Sequence, residues 1–230
     1  MYSSLANPIY NALTTADKSR NIGSEEIAFM DIEMSPFIGM RSWSTIQQQK
    51  LLDPALPKRT WFLLIEKEVD FIENLQVSLT LPLFQCVCTS LKTPLPAKKK
   101  IDLVPLNESH IDEMIALTTL TKPGPFRKRT IEFGNYHGIF EEGQLVAMGG
   151  ERLHLDGLTE ISAICTHPDF QGRGYGAQIV HFLAADIMKR GLTPFLHARA
   201  DNTKAMDVYK RIGFEISRRI EFYVFRADGE

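Results

Sequence analysis

Three cysteines among 230 residues are too few for a disulfide scaffold. Cys86 and Cys88 form a C-x-C whose side chains would share one strand face, and no nearby residues complete a zinc ligand set. The expectation is a reducing, cytoplasmic setting and no metal. Neither sign of charge dominates. With 26 Lys and Arg against 28 Asp and Glu, the net charge of −2 supplies no basic field for nucleic acid or a membrane surface. No apolar run approaches the ~18 residues a membrane helix needs. Met1-Tyr2-Ser3-Ser4 is not a basic stretch leading into an apolar core, so no secretory signal is expected there. Glycine is scarce early on: only Gly23 and Gly39 of the fifteen precede Lys100, and neither sits in a multi-glycine turn.

What is present reads as a soluble globular chain, long enough for one large domain or two small ones. Asn7-Pro8 opens a helix through Leu13. Glu26–Ile32 suits a strand, Ser44–Leu52 a helix, and Arg59–Ile65 and Ser78–Cys88 are β-rich. The stretch Lys92–Lys100, rich in proline and lysine, reads as a linker. It divides an N-terminal α/β region, 1–98, from a second unit, 99–230. Since helices and strands alternate in both, the first half is a candidate degenerate copy of the second that has lost its binding loop. Strand Ile101–Pro105 and helix Glu108–Thr119 follow. Pro123, Gly124 and Pro125 then break the chain. Strands Tyr136–Glu141 and Gln144–Leu153 form a hairpin at Glu142-Gly143, and Asp156-Gly157 turns into strand Leu158–Thr166. Helix Gly174–Lys189, strand Pro194–Ala200, helix Thr203–Ile212 and strand Ile220–Arg226 complete an α/β fold with a mixed, mainly antiparallel sheet flanked by helices.

The chemistry concentrates between Glu160 and Phe214. Gln171-Gly172-Arg173-Gly174-Tyr175-Gly176-Ala177 places three glycines in five residues at a helix start, where unpaired N–H groups and the positive dipole end attract phosphate. A dinucleotide site would need a strand running almost directly into the glycines; here Thr166 to Gln171 intervene, including Pro168. A merely structural turn would need only one glycine.

Gln171-x-x-Gly174-x-Gly176, with the downstream Asn202…Tyr209…Gly213-Phe214, resembles the signature of the GNAT superfamily of N-acetyltransferases. The run from Glu160 to Pro168, and again from Thr193 to His197, is similar to the branch with glycine N-acyltransferase-type C-terminal domains. The resemblance implies acetyl-CoA as acyl donor and no metal. The diphosphate would be held by amides of Gln171, Gly172, Arg173, Gly174, Tyr175, Gly176 and Ala177. Ile164, Cys165 and Thr166 would pair with the pantetheine arm, and an amide there, that of Cys165 first, would polarise the thioester carbonyl.

For catalysis the resemblance implies Glu160 as general base, its pKa raised by burial, or else as a substrate-orienting or ion-paired group. Glu151 is the second candidate base. Tyr209 would protonate the leaving thiolate or pack on CoA. Asn202, two helical turns earlier, would cap the helix and bond the pantetheine arm. His167 and His197 read as structural or substrate-adjacent, and Arg127, Lys128 and Arg129 as a basic loop near the acceptor. The implied partner is a small-molecule or peptide amine. Two other readings stay open: a longer acyl-CoA with an amino-acid acceptor such as glycine, and a non-catalytic CoA-binding module.

Overall fold

A computed structural model describes residues 2–92 and 102–227. The expected linker, Lys92–Lys100, falls outside the described residues except for Lys92, and so does the 98/99 boundary.

The first half opens with α1 (Pro8–Thr14), started by proline at its first position. Asn7 precedes it without capping it; its side-chain amide donates instead to Met40 O, 2.7 Å away. Strands β1 (Ile27–Phe29) and β2 (Ile38–Met40) form a separate two-stranded ribbon. Helix α2 (Thr45–Gln49) is capped by Ser44, which accepts from the Gln47 amide. The remaining strands are β3 (Trp61–Ile65), β4 (Leu75–Cys88), β5 (Val104–Pro105), β6 (His137–Glu141), β7 (Gln144–Leu155), β8 (Leu158–Thr166), β9 (Thr193–Arg199) and β10 (Phe214–Ala227). They join in one eight-stranded sheet, ordered β3-β10-β4-β9-β8-β7-β6-β5. Helices α3 (Ile111–Thr121), α4 (Tyr175–Lys189) and α5 (Thr203–Ile212) complete the fold.

This is the mixed α/β architecture expected, with one parallel strand pair in an otherwise antiparallel sheet. Strand β4, from the first half, lies between β9 and β10 of the second, so both halves build one sheet. Strand β10 begins at Phe214 rather than at the expected Ile220. Arg218 and Arg219 break the apolar alternation, and a bulge between Ile216 and Arg218 lets the strand continue past them.

Helix α4 covers one face, burying Ile179, Val180, Leu183, Ala184 and Ile187 against Val146 and Ile161. The other face carries α1 and α3, with Leu5, Ile9, Leu13, Met114 and Leu117 packed on Met148, Leu158, Cys165 and Phe195. A third cluster gathers β1 and β2 on Trp61, Leu63, Tyr223 and Phe225.

One feature of the sheet creates the opening that matters. Strands β8 and β9 pair only from Leu158↔Thr193 to Glu160↔Phe195. Beyond that point β9 stays with β4, up to Leu83↔Arg199, and β8 stays with β7, up to Ala147↔Thr166. The two strands therefore part, and among the described residues, residues 161–166 have no partner on the β9 side.

Candidate functional site

The chain leaves β8 through a single 3-10 turn, Pro168–Phe170. Gly172 (φ +77°) and Gly174 (φ +84°) then adopt left-handed backbone before α4 begins. Space is not what demands glycine: a Cβ at Gly172 would meet nothing within 4 Å, and at Gly174 only the Gln178 side chain. The demand is the backbone angle, which side-chain-bearing residues adopt at a cost. Gly174 caps α4 without any side-chain hydrogen bond. The first N–H groups of a helix have no intrahelical partner. Among the described residues, no protein acceptor takes the amides of Gly172 to Ala177.

These residues line a cavity of about 1000 Å³. Its walls include Ile164, Cys165 and Thr166 of β8, the whole turn Gln171–Ala177, and Asn202 and Tyr209 of α5. The structure thus brings every expected cofactor-binding residue to one space. Lys204 and Arg211 also line it, together with Arg173, whose guanidinium stacks over the Phe170 ring at 4.6 Å.

Along β8, Ala163 has φ +55° and marks a bulge between the Ser162 and Cys165 pairings. The Cys165 side chain is buried, and burial pushes its thiol up to about 11. A thiol held protonated is no nucleophile. Asn202 Oδ1 accepts from the Ala205 amide at 3.2 Å and so caps α5. The Tyr209 ring is half-buried and lies edge-on to Phe214. Burial pushes its hydroxyl up to about 12, so it keeps its proton at neutral pH. Tyr175 donates to Glu141 Oε1 at 2.5 Å, tying the first turn of α4 to β6.

Glu160 takes the ion-paired place that stood as the alternative to a general base with a raised pKa. It is fully buried and does not line the cavity. Burial alone would raise its pKa, but the Arg152 guanidinium and then His197 outweigh burial and hold it near about 2. Arg152 Nε donates to Oε2 at 2.8 Å and Nη2 to Oε1 at 2.5 Å, while His197 Nδ1 lies 2.6 Å from Oε1. The expectation of a raised pKa is therefore corrected. Desolvation operates, but a bidentate cation dominates it. Glu151 is also away from the cavity. It is buried among Asn135, His154 and Arg190, which together hold it below the usual carboxylate range against the upward push of burial.

His197 belongs to the Glu160 network, and its Nε2 lies 3.0 Å from Gln85 Nε2. His167 accepts from the Asp169 amide and packs on Phe170. In the loop, Arg129 pairs with Asp31 and Glu132. Arg127 and Lys128 are exposed.

Three residues of this region escape a reading by motif: Arg152, Tyr136 and Gln85. Arg152, Glu160, His197 and Gln85 form a polar row across β7, β8, β9 and β4, closed by Gln85 Nε2 donating to Leu5 O at 3.1 Å. A signal for one pair existed, since Arg152 and Glu160 flank the Asp156-Gly157 turn at distances that place them across the hairpin. Gln85 gave none, because its partner His197 is 112 residues distant in sequence.

A family model described as "FR47-like protein" matches residues 136–223. A putative GNAT-family acetyltransferase from Novosphingobium aromaticivorans is 27% identical, with a TM-score of 0.87 over 98% of this chain and 99% of that one. Mycothiol acetyltransferase of Mycolicibacterium smegmatis is 30% identical over 80 residues, which is 33% of this chain and 27% of that protein. The [ribosomal protein bS18]-alanine N-acetyltransferase of Escherichia coli is 32% identical over 87 residues, 37% of this chain and 58% of that protein. The chain thus spans under two thirds of these curated relatives. The chain is thus similar to GNAT-family N-acetyltransferases, in fold over its whole length and in sequence over its C-terminal part.

Proposed function

We propose that this protein transfers an acetyl group from acetyl-CoA directly to a primary amine. One observation carries the reading: the unpaired amides of Gly172 to Ala177, at the start of α4, belong to the wall of a cavity that also reaches the open edge of β8. A helix N-terminus of this kind suits a diphosphate. The splayed β8 edge offers unpaired backbone to the pantetheine amides. Arg173, Lys204 and Arg211 supply positive charge for the remaining phosphate.

Holding donor and acceptor together accounts for much of the acceleration in such a reaction. A β8 amide at the bulge, that of Cys165 in our reading, polarises the thioester carbonyl. Tyr209 delivers its proton to the departing thiolate as the C–S bond breaks, and the proton shed by the newly acylated nitrogen restores the phenol through solvent. Glu160, with both oxygens engaged by Arg152 and His197, positions the strand ends rather than removing a proton. The acceptor therefore reacts as the free amine already present in solution.

Calorimetric titration with acetyl-CoA tests the reading. Wild-type protein should bind, and Gly174→Glu, which sets a carboxylate among the amides, should lose binding at least a hundredfold. Equal affinity in both would remove the phosphate-loop assignment. A longer acyl donor with an amino-acid acceptor, implied by the narrower branch resemblance, is distinguished by a chain-length series of acyl-CoAs in the same assay.

A further inference from the structure

Beyond the bulge at Ala163, β8 borders a second, far smaller space of about 10 Å³, room for roughly one water-sized group. It is lined by the loop Pro123–Phe126 together with Thr130, Tyr136, Arg152, Ser162 and Ala163. Two donors there have capacity to spare. The Tyr136 hydroxyl is buried and has no hydrogen-bond partner, a state that costs stability in an isolated protein. Arg152 spends Nε and Nη2 on Glu160, and among the described residues no protein acceptor takes Nη1. Ser162 adds a half-buried hydroxyl.

The wall is therefore rich in donors. Glu160, the negative member of the ion pair, stands behind Arg152 and does not line the space. An ammonium group would meet a guanidinium; an oxygen would meet a guanidinium and a phenol. Ala163 of this space and Ile164 and Cys165 of the large cavity are consecutive along β8. Consecutive strand residues rise about 3.3 Å, so an acceptor seated here has its amine two or three bonds from the seated atom if it is to reach the thioester.

We propose that Tyr136 and Arg152 form an acceptor subsite that seats one sp² oxygen, a carboxylate or carbonyl, on the carbon next to the amine-bearing carbon. The acceptor is then an α-amino acid or an α-aminoacyl group rather than a plain alkylamine. This rests on the acetyl-transfer reading, and it adds the acceptor's chemistry to it.

The test titrates CoA-loaded protein, by calorimetry, with three matched series. These are α-amino acids, the corresponding α-amino amides, and alkylamines of equal chain length without the oxygen. At least one oxygen-bearing series should bind ten- to a hundredfold more tightly than the alkylamines, as expected for a hydrogen bond to a charged group. Which series prevails separates a carboxylate from an aminoacyl carbonyl. Tyr136→Phe, which removes one hydroxyl and keeps the ring against Phe126, should cut that advantage severalfold while leaving CoA affinity unchanged. Alkylamines binding as well as the oxygen-bearing compounds, no series binding to CoA-loaded protein, or an advantage untouched in Tyr136→Phe would each overturn the subsite. Failure of CoA itself to bind would instead overturn the acetyl-transfer reading, and the subsite with it.

Discussion

At the scale of single residues, the cavity separates groups that hold charge from groups that move protons. Tyr209 keeps its proton because burial disfavours the phenolate. It also lies at the cavity wall, as the proton donor of the proposed reaction must. A thiolate is already a fair leaving group, so the help is limited. Tyr209→Phe should lower kcat about ten- to hundredfold and leave the KM for acetyl-CoA within about threefold, measured by release of free CoA. An unchanged kcat would reduce Tyr209 to a packing residue. Glu160 behaves oppositely. Removing one member of a buried ion pair strands the other, at about 3–5 kcal/mol. Glu160→Gln should show that loss in urea unfolding while still binding acetyl-CoA, because the carboxylate does not line the cavity. Its pKa near about 2, below the ordinary 4.5, makes the pair's contribution complete above pH 4.5 and lost as pH falls through 2.

Elements explain how much of this could be read beforehand. Helix α4 and strand β8 were legible because each carries its own instructions. The glycine turn fixes where α4 starts, the 3.6-residue spacing fixes its buried face, and Asp156-Gly157 fixes where β8 begins. The cavity residues lie in or beside these two elements and α5, so the sequence located them together. An ion-paired Glu160 was among the readings, but the partners that fix its charge were not legible. That charge depends on Arg152 across a bulged hairpin and on His197 across the parallel β8–β9 pair, and a pattern along one strand contains neither.

The junction of α5 and β10 makes a separate prediction. Gly213 has φ +120°, and a Cβ there would fall on the Ser90 carbonyl oxygen. Lys92 N–H also donates to Ile212 O at 2.9 Å, so the segment that follows β4 is already pinned against this turn. Gly213→Ala combines a backbone penalty with a backbone clash and should cost at least 2 kcal/mol in urea unfolding, more than an Ala substitution at an exposed helix position. A loss under 0.5 kcal/mol would mean that the turn relaxes freely.

For the whole molecule, the decisive fact is that the two halves close one sheet. Strand β4 fills the gap between β9 and β10, and the register with β10 runs from Phe214↔Cys88 to Ala227↔Leu75. A second join is made on β7 and is ionic. Asp17, fully buried after α1, accepts from the His154 amide at 2.9 Å and lies 3.0 Å from His154 Nδ1. His154 Nε2 is 3.2 Å from Glu151, which Arg190 of α4's end also grips. Burial by itself would lower the pKa of His154, but the two carboxylates overcome it and raise the imidazole to about 9 from 6.5. The sign follows from that direction. A folded pKa above the unfolded one gives stability that is complete below pH 6.5 and is lost as pH rises through 9. A shift of this size corresponds to a few kcal/mol, on the order of a 10 °C fall in Tm for a chain of this length. Thermal unfolding followed at pH 6, 7.5 and 9 should therefore show Tm declining across the series. Asp17→Asn removes one of the two carboxylates that hold the proton, so it should lower Tm most at pH 6 and flatten the decline. If the variant's Tm falls with pH as steeply as the wild type's, His154 is not the group that ties the first half to the sheet.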